Sequence, residues 1–331
     1  MLDGHGVSRL DEDASTRAAS TLDGMTESGV TVHHEMTTAL DDKTAMLWQQ
    51  LGAELTGLVD DPSSVTLVVT DQMPAVIGKL EAKVPWQFGG QDAAATYTPD
   101  KPDGARASAK TLQLADETVV VVDSAVVHFG KATTRRIVHH EAQHAWLRQA
   151  EDMAWAMQRR AAFTRPAGNI FAFVYLAQSM VDEYRCEAAL TPEVSQADKL
   201  MTVSPNDWID VAAVFAQAQD LHQITGDVSA TFALVLGGLD RVSSFLGYAA
   251  ATIARGEYTP QQWSQVGPLA LVANPLLGTP PAGTPVGYDG LGALVEGLTA
   301  SFGRIAQSFG FLVEVDETTD QTSMFLIDPE P

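Results

Sequence analysis

Apolar residues recur three and four positions apart at Ala45, Trp48, Leu51, Leu55 and Leu58. That spacing lays them along one face and predicts an amphipathic helix from about residue 41 to Gly57 or Asp60. Asp61-Pro62-Ser63-Ser64 marks a turn, the β-branched run Val65–Thr70 reads as a strand, and Asp71 is placed to cap a short helix reaching Ala82. Strands are expected at 93–98 and 107–114 around the turn-rich 99–104, which reads as a hairpin or a long loop, and again at 118–122. Residues 131–159 contain neither Gly nor Pro and predict one helix. After the break at 165–169 comes a helix over 170–190, nearly all apolar in its first half and ended by Thr191-Pro192. Further helices are expected at 208–223, 228–255 and 291–308, with 311–315 and 323–327 as a closing hairpin. The Pro- and Gly-rich stretch 274–290 either borders a cleft or links two helices.

These elements predict an α+β fold in three parts. Residues 1–38 carry few large apolar side chains and are expected to form a mobile or loosely docked acidic arm. Residues 39–160 form a lobe with a small mixed sheet, and 161–331 a mainly helical lobe with the terminal hairpin. A chain of 331 residues, 45% hydrophobic, can bury a core large enough for two such lobes.

Charge narrows the partners. The 20 basic residues against 42 acidic ones leave a formal charge of -22, which argues against nucleic acid and anionic membrane surfaces. The one cysteine, Cys186, rules out an intramolecular disulfide framework and fits a reducing, cytoplasmic setting, and no secretory leader is visible at the N-terminus. The longest apolar runs, 170–181 and 231–239, read as buried helices, too short to span a membrane. Nothing in the sequence sets an oligomeric state.

The chemistry concentrates in Val138-His139-His140-Glu141-Ala142-Gln143-His144. His140, Glu141 and His144 spell H-E-x-x-H; on a helix the two imidazoles lie one turn apart on one face, where they can grip a single metal ion beside a carboxylate. Zn2+ takes neutral imidazole nitrogens and lowers the pKa of its bound water, so Glu141 is the candidate general base. The other reading is a pair of ordinary histidines on an ordinary helix. His33-His34-Glu35 repeats half the pattern, but Thr38 stands where the second ligand belongs, and this segment reads as part of the arm.

Strand 118–122, a short connection and the H-E-x-x-H helix follow the order found in zincin metallopeptidases, which residues 40–190 resemble. In the thermolysin-like gluzincins the third zinc ligand is a Glu on a later helix, with an acidic residue four positions on that orients a ligand histidine. Glu183 and Glu187 reproduce that pattern, so the resemblance implies Glu183 as ligand and Glu187 behind a histidine. Asp182 lies about 100° around the helix from Glu183 and cannot face the same metal. The spacer 145–182 is longer than in the thermolysin type, and Asp182 replaces a common Asn, which leaves the specific family and the choice within the Glu183/Glu187 pair open. Enzymes of this class also carry a Tyr, His or Arg that steadies the oxyanion; Tyr175, Tyr184, Arg185, His222, Tyr248 and Tyr258 are available. His139 lies off the metal face, while His128, His222 and Cys186 read as structural.

The expectation is therefore a zinc metallopeptidase, its peptide or protein substrate held extended against an exposed strand, with Glu141 moving the proton. The rivals are a zincin-like, non-proteolytic binding or regulatory protein that retains its metal, and an amide hydrolase of non-peptide substrates.

Overall fold

The sheet begins inside the stretch expected to be mobile or loosely docked. In the computed structural model, which describes residues 29–83, 108–154, 170–196, 205–257, 274–316 and 321–327, β1 (Thr31–Glu35) runs parallel to β2 (Val65–Thr70). β2 is parallel to β4 (Thr118–Asp123), and β3 (Ala109–Gln113) is the antiparallel edge strand next to β4. β1 is also held from the side. Gly52 of α1 (Asp42–Thr56) lies against it so closely that a Cβ there would stand 2.4 Å from Val32 Cγ2. The Val30 N–H donates to Thr56 Oγ1 (3.2 Å) and the Thr37 N–H to the Asp71 carboxylate (3.1 Å). The expected arm boundary at 38 is thus corrected: residues 31–35 are docked by a backbone ladder, which needs little apolar composition, and Val30 and Thr37 by bonds to side chains. Residues 1–28 lie outside the described residues.

Period-two alternation sorts the strands between two layers. Leu67, Val69, Val120 and Val122 face Trp48, Leu51 and Leu55 of α1 and Val138, Ala142 and Ala145 of α3 (Lys131–Gln149). Val68, Leu112, Val119 and Val121 face Met73, Val76 and Ile77 of α2 (Met73–Glu81). Asp41 caps α1 by accepting from the Thr44 N–H at 2.9 Å. Asp71 does not cap α2 as expected; Gln72 occupies that position, and Asp71 is engaged by Thr37. The predicted strand 93–98 lies outside the described residues.

α3 stops at Gln149, ten residues before the expected end at Arg159. The chain turns through Glu151, whose φ is 50°, and Asp152 and Ala154 are then fastened to the next helix. Residues 155–159 are not described.

The second part is helical: α4 (Ile170–Ala188), α5 (Pro205–Thr225), α6 (Val228–Ala254) and α7 (Tyr288–Ser308), followed by the antiparallel hairpin of β5 (Phe311–Asp316) and β6 (Gln321–Leu326). Phe173, Val174, Ala177, Met180, Val181 and Tyr184 recur at helical spacing on α4 and are buried in one core with Leu239, Leu246, Leu298 and Phe302. Phe215 stacks on Phe309 with ring centres 4.1 Å apart, tying α5 to the end of α7. The loop after 274 is a fastened link: Asp152 accepts from the Val286 and Gly287 N–H groups, both at 2.8 Å, and binds Arg185 at 2.7 Å. The α+β class, the mixed sheet and the closing hairpin match expectation. Among the described residues no helix is long and apolar enough to cross a membrane.

Candidate metal centre

α3 is nearly encircled by neighbours, with Val138, Ala142 and Ala145 on the sheet side and His139, His140 and Gln143 also buried. α4 crosses it and brings Glu183 to the two histidines of the motif. His140 Nε2 lies 3.1 Å from Glu183 Oε2, and His144 Nε2 lies 3.5 Å from Glu183 Oε1. Donor atoms of His140, His144 and Glu183 all fall within 4.8 Å of one another. Two imidazole nitrogens and a carboxylate oxygen at that separation can hold a metal ion, and this is the one such cluster found among the described residues.

Glu187, one turn beyond Glu183, sits behind His140. Its Oε2 is 3.3 Å from His140 Nδ1, while Oε1 takes Nη2 of Arg136 from α3 and, at 3.3 Å, Nη2 of Arg255 from the end of α6. Only 1% of the Glu187 side chain is exposed, so this carboxylate is compensated by three cations or donors and almost no water. Arg136 also donates to the Ser195 carbonyl at 3.0 Å, and Arg255 pairs with Glu257 at 2.9 Å. The network keeps the His140 ring in one orientation from behind, as an outer carboxylate does for a metal-binding histidine.

Electrostatics follow from this packing. Burial disfavours charge on His140, but hydrogen bonds to Glu183 and Glu187 and their negative charges outweigh it and raise its pKa to about 10. Burial alone would raise the Glu183 pKa; hydrogen bonds from His140 and His144 and their charges instead hold it well below the usual carboxylate range. In the metal-free site the proton on His140 thus occupies a position that a divalent cation would compete for.

Two further elements reach the cluster. Gly247 of α6 packs where a Cβ would lie 3.2 Å from the Met180 carbonyl and 3.4 Å from Glu183 Cβ, a crowding that glycine avoids where α6 lies close against α4. The next residue, Tyr248, donates its hydroxyl to Glu183 Oε2 at 2.9 Å and sets its ring edge against His140 with centres 5.6 Å apart. Burial, then the Glu183 charge, push the Tyr248 phenol well above its ordinary pKa, so it stays a proton donor at neutral pH. Glu141 is outside the three-residue cluster. It is half-buried, and Thr111 on the edge strand donates to its Oε2 at 2.7 Å.

The other sequence candidates have structural work. Asp182 accepts from the Ala154 N–H at 2.9 Å. Tyr184 donates to the Thr279 carbonyl at 3.2 Å, and the fully buried Arg185 is bound to Asp152 and to the carbonyls of Pro280 and Thr284. His139 Nε2 meets Glu54 at 2.8 Å, away from the metal donors as expected. Cys186 is fully buried, and burial first, then neighbouring carboxylates, push its thiol pKa well up, which suits a packed residue. His222 reaches Thr231 Oγ1 at 3.5 Å near the α5–α6 turn, Tyr175 is half exposed on α4, and Tyr258 lies outside the described residues. Arg136, Arg255 and Thr111 were absent from the sequence candidates. Arg136 had a signal, four residues before His140 on the same helical face; Arg255 and Thr111 come from elements whose placement no local pattern encodes. The arrangement stands on its own geometry, because no family model, no curated protein and no solved structure matches this chain.

Proposed function

We propose that the protein is a zinc-dependent metallopeptidase of zincin-like fold, with His140, His144 and Glu183 holding the metal and Glu141 as general base. The single observation that carries the reading is the meeting of the H-E-x-x-H pair with Glu183 from a separate helix, donor atoms within 4.8 Å, while the motif's own Glu stays out of that cluster. A site meant only to hold structure gains nothing from a further, non-ligating carboxylate next to its ligands in the motif. The donor set, two imidazoles and one carboxylate, suits zinc and leaves a coordination position open. When bound, zinc there polarises a carbonyl and makes water a nucleophile near neutral pH.

The chain's own groups divide the remaining work. Glu141 Oε2 is held by Thr111, leaving Oε1 to take a proton and pass it to the leaving amine. Glu187 with Arg136 and Arg255 keeps His140 facing the cluster. Among the described candidates for steadying an oxyanion, Tyr248 is the one whose hydroxyl lies on a cluster residue. The antiparallel edge strand β3, which packs on α3, offers an extended peptide a backbone to lie along, apart from the Thr111 carbonyl, which Arg148 takes. The test is metal analysis with turnover of a mixed peptide library, comparing wild type with Glu141→Gln. Zinc should remain stoichiometric while turnover falls by roughly two or more orders of magnitude; equal turnover in the variant would remove Glu141 from the mechanism, and loss of zinc would make it a ligand.

A further inference from the structure

The edge strand meets the motif helix at one residue. Thr111 Oγ1 lies 2.7 Å from Glu141 Oε2 and 3.1 Å from the Glu141 carbonyl; with one proton to give, it serves the shorter contact. The strand's pairing fixes where the rest of Thr111 points. The Asp123 N–H donates to the Ser108 carbonyl at 2.9 Å and the Leu114 N–H to the Glu117 carbonyl at 2.7 Å, so even-numbered residues of β3 bond to β4. Odd-numbered Thr111 therefore turns its own N–H and carbonyl toward the side of β3 that has no paired strand among the described residues. That carbonyl is taken by Arg148 Nη2 at 2.9 Å, and Arg148 stands seven residues after Glu141 on the same face of α3. Thr111 is 4% exposed, and its branched side chain has few rotamers to choose from. A flexible Glu side chain is thus tied at one oxygen to a buried residue whose carbonyl is itself held by Arg148.

We propose that Thr111 is a positioning residue for Glu141, fixing its carboxylate so that Oε1 faces the reacting groups, with Arg148 securing Thr111 in turn. This rests on the reading of Glu141 as the proton-accepting group. It also makes the strand that would receive the peptide the same strand that aims the base.

The experiment uses the full-length, zinc-loaded protein and a library peptide that wild type cuts and Glu141→Gln does not. Thr111→Val, which keeps shape and removes the hydroxyl, should keep zinc and lower kcat about tenfold with KM within about twofold; Thr111→Ser should restore kcat to within about threefold of wild type. Crystal structures of wild type and Thr111→Val should show the Glu141 carboxylate leaving its position in the variant alone. An unchanged kcat, an unmoved carboxylate, or a joint fall of kcat and melting temperature that Ser does not rescue overturns the proposal. A wild type that cuts no peptide sinks the peptidase reading only, and the crystallographic comparison then decides the role of Thr111 by itself.

Discussion

Glu187→Gln removes one negative charge from the most enclosed part of the centre and keeps the shape of the side chain. In the native protein Oε1 receives Arg136 and Arg255 while Oε2 faces His140 Nδ1 at 3.3 Å. An amide offers one acceptor oxygen, so either the arginines or the imidazole must face its NH2 group. Removing one partner of a buried ion pair typically costs about 3–5 kcal/mol. Arg136 retains the Ser195 carbonyl at 3.0 Å and Arg255 retains Glu257 at 2.9 Å, which offsets part of that loss. The expected destabilisation of metal-free protein is therefore about 2–4 kcal/mol. Zinc affinity should fall separately by about 10–100-fold, because a ligand histidine loses the acceptor that orients it. Urea unfolding of the metal-free protein reads the first quantity and competition with a chelator reads the second. If stability falls while affinity stays within about twofold of wild type, Glu187 is a structural keystone and no tuning group. If neither moves, the buried network drawn here is wrong.

Glu183→Ala should weaken zinc binding more than Glu187→Gln does, whereas Asp182→Ala should leave it unchanged and cost about 1–3 kcal/mol of stability by orphaning the Ala154 N–H; chelator competition and urea unfolding of both variants check the contrast. Gly52→Ala would gain about 1 kcal/mol of helix propensity but place a methyl 2.4 Å from Val32 Cγ2, so a net loss of about 1–3 kcal/mol is expected, relieved when Val32→Ala is added. A stable single variant would mean that β1 is not docked. In metal-free protein the raised His140 pKa sets a sign: its charge contributes stability fully below the unfolded value of about 6.5, and the contribution disappears as pH rises through about 10. The stability gap between wild type and His140→Gln should accordingly narrow between about pH 6 and about pH 10.5 in chelator, and a widening gap would contradict the assignment.

Elements whose signal is local could be read in advance. Trp48, Leu51 and Leu55 share a face of α1 because spacing alone puts them there, and the β-branched runs at 65–70 and 118–123 became the two central strands of the sheet. What escaped depended on partners distant in sequence. β1 puts Val32 against the core, with Val30 and Met36 just beyond its two ends, and its stability comes from backbone pairing with residues 66–70, invisible in a composition averaged over an acidic segment. The overextended α3 failed for a related reason. Nothing in its sequence stops a helix at Gln149, and the stop is imposed by Asp152 binding Arg185 and the loop at 286–287.

The same division runs through the centre. His140, Glu141 and His144 were legible because they lie within four residues on one helix, and Glu183 with Glu187 because they repeat that geometry on another. Helical rotation even separates sequence neighbours correctly: Glu183 faces the histidines, while Asp182, one step around α4, reaches the Ala154 amide in the turn beyond α3. Which third element would reach the cluster was beyond such reasoning, since six Tyr, Arg and His candidates stood equal. The selection was made by packing. Glycine at 247 avoids crowding the Met180 carbonyl and Glu183 Cβ where α6 meets α4, and the phenol of the following residue lies on Glu183. Tyr184, by contrast, spends its hydroxyl on the Thr279 carbonyl.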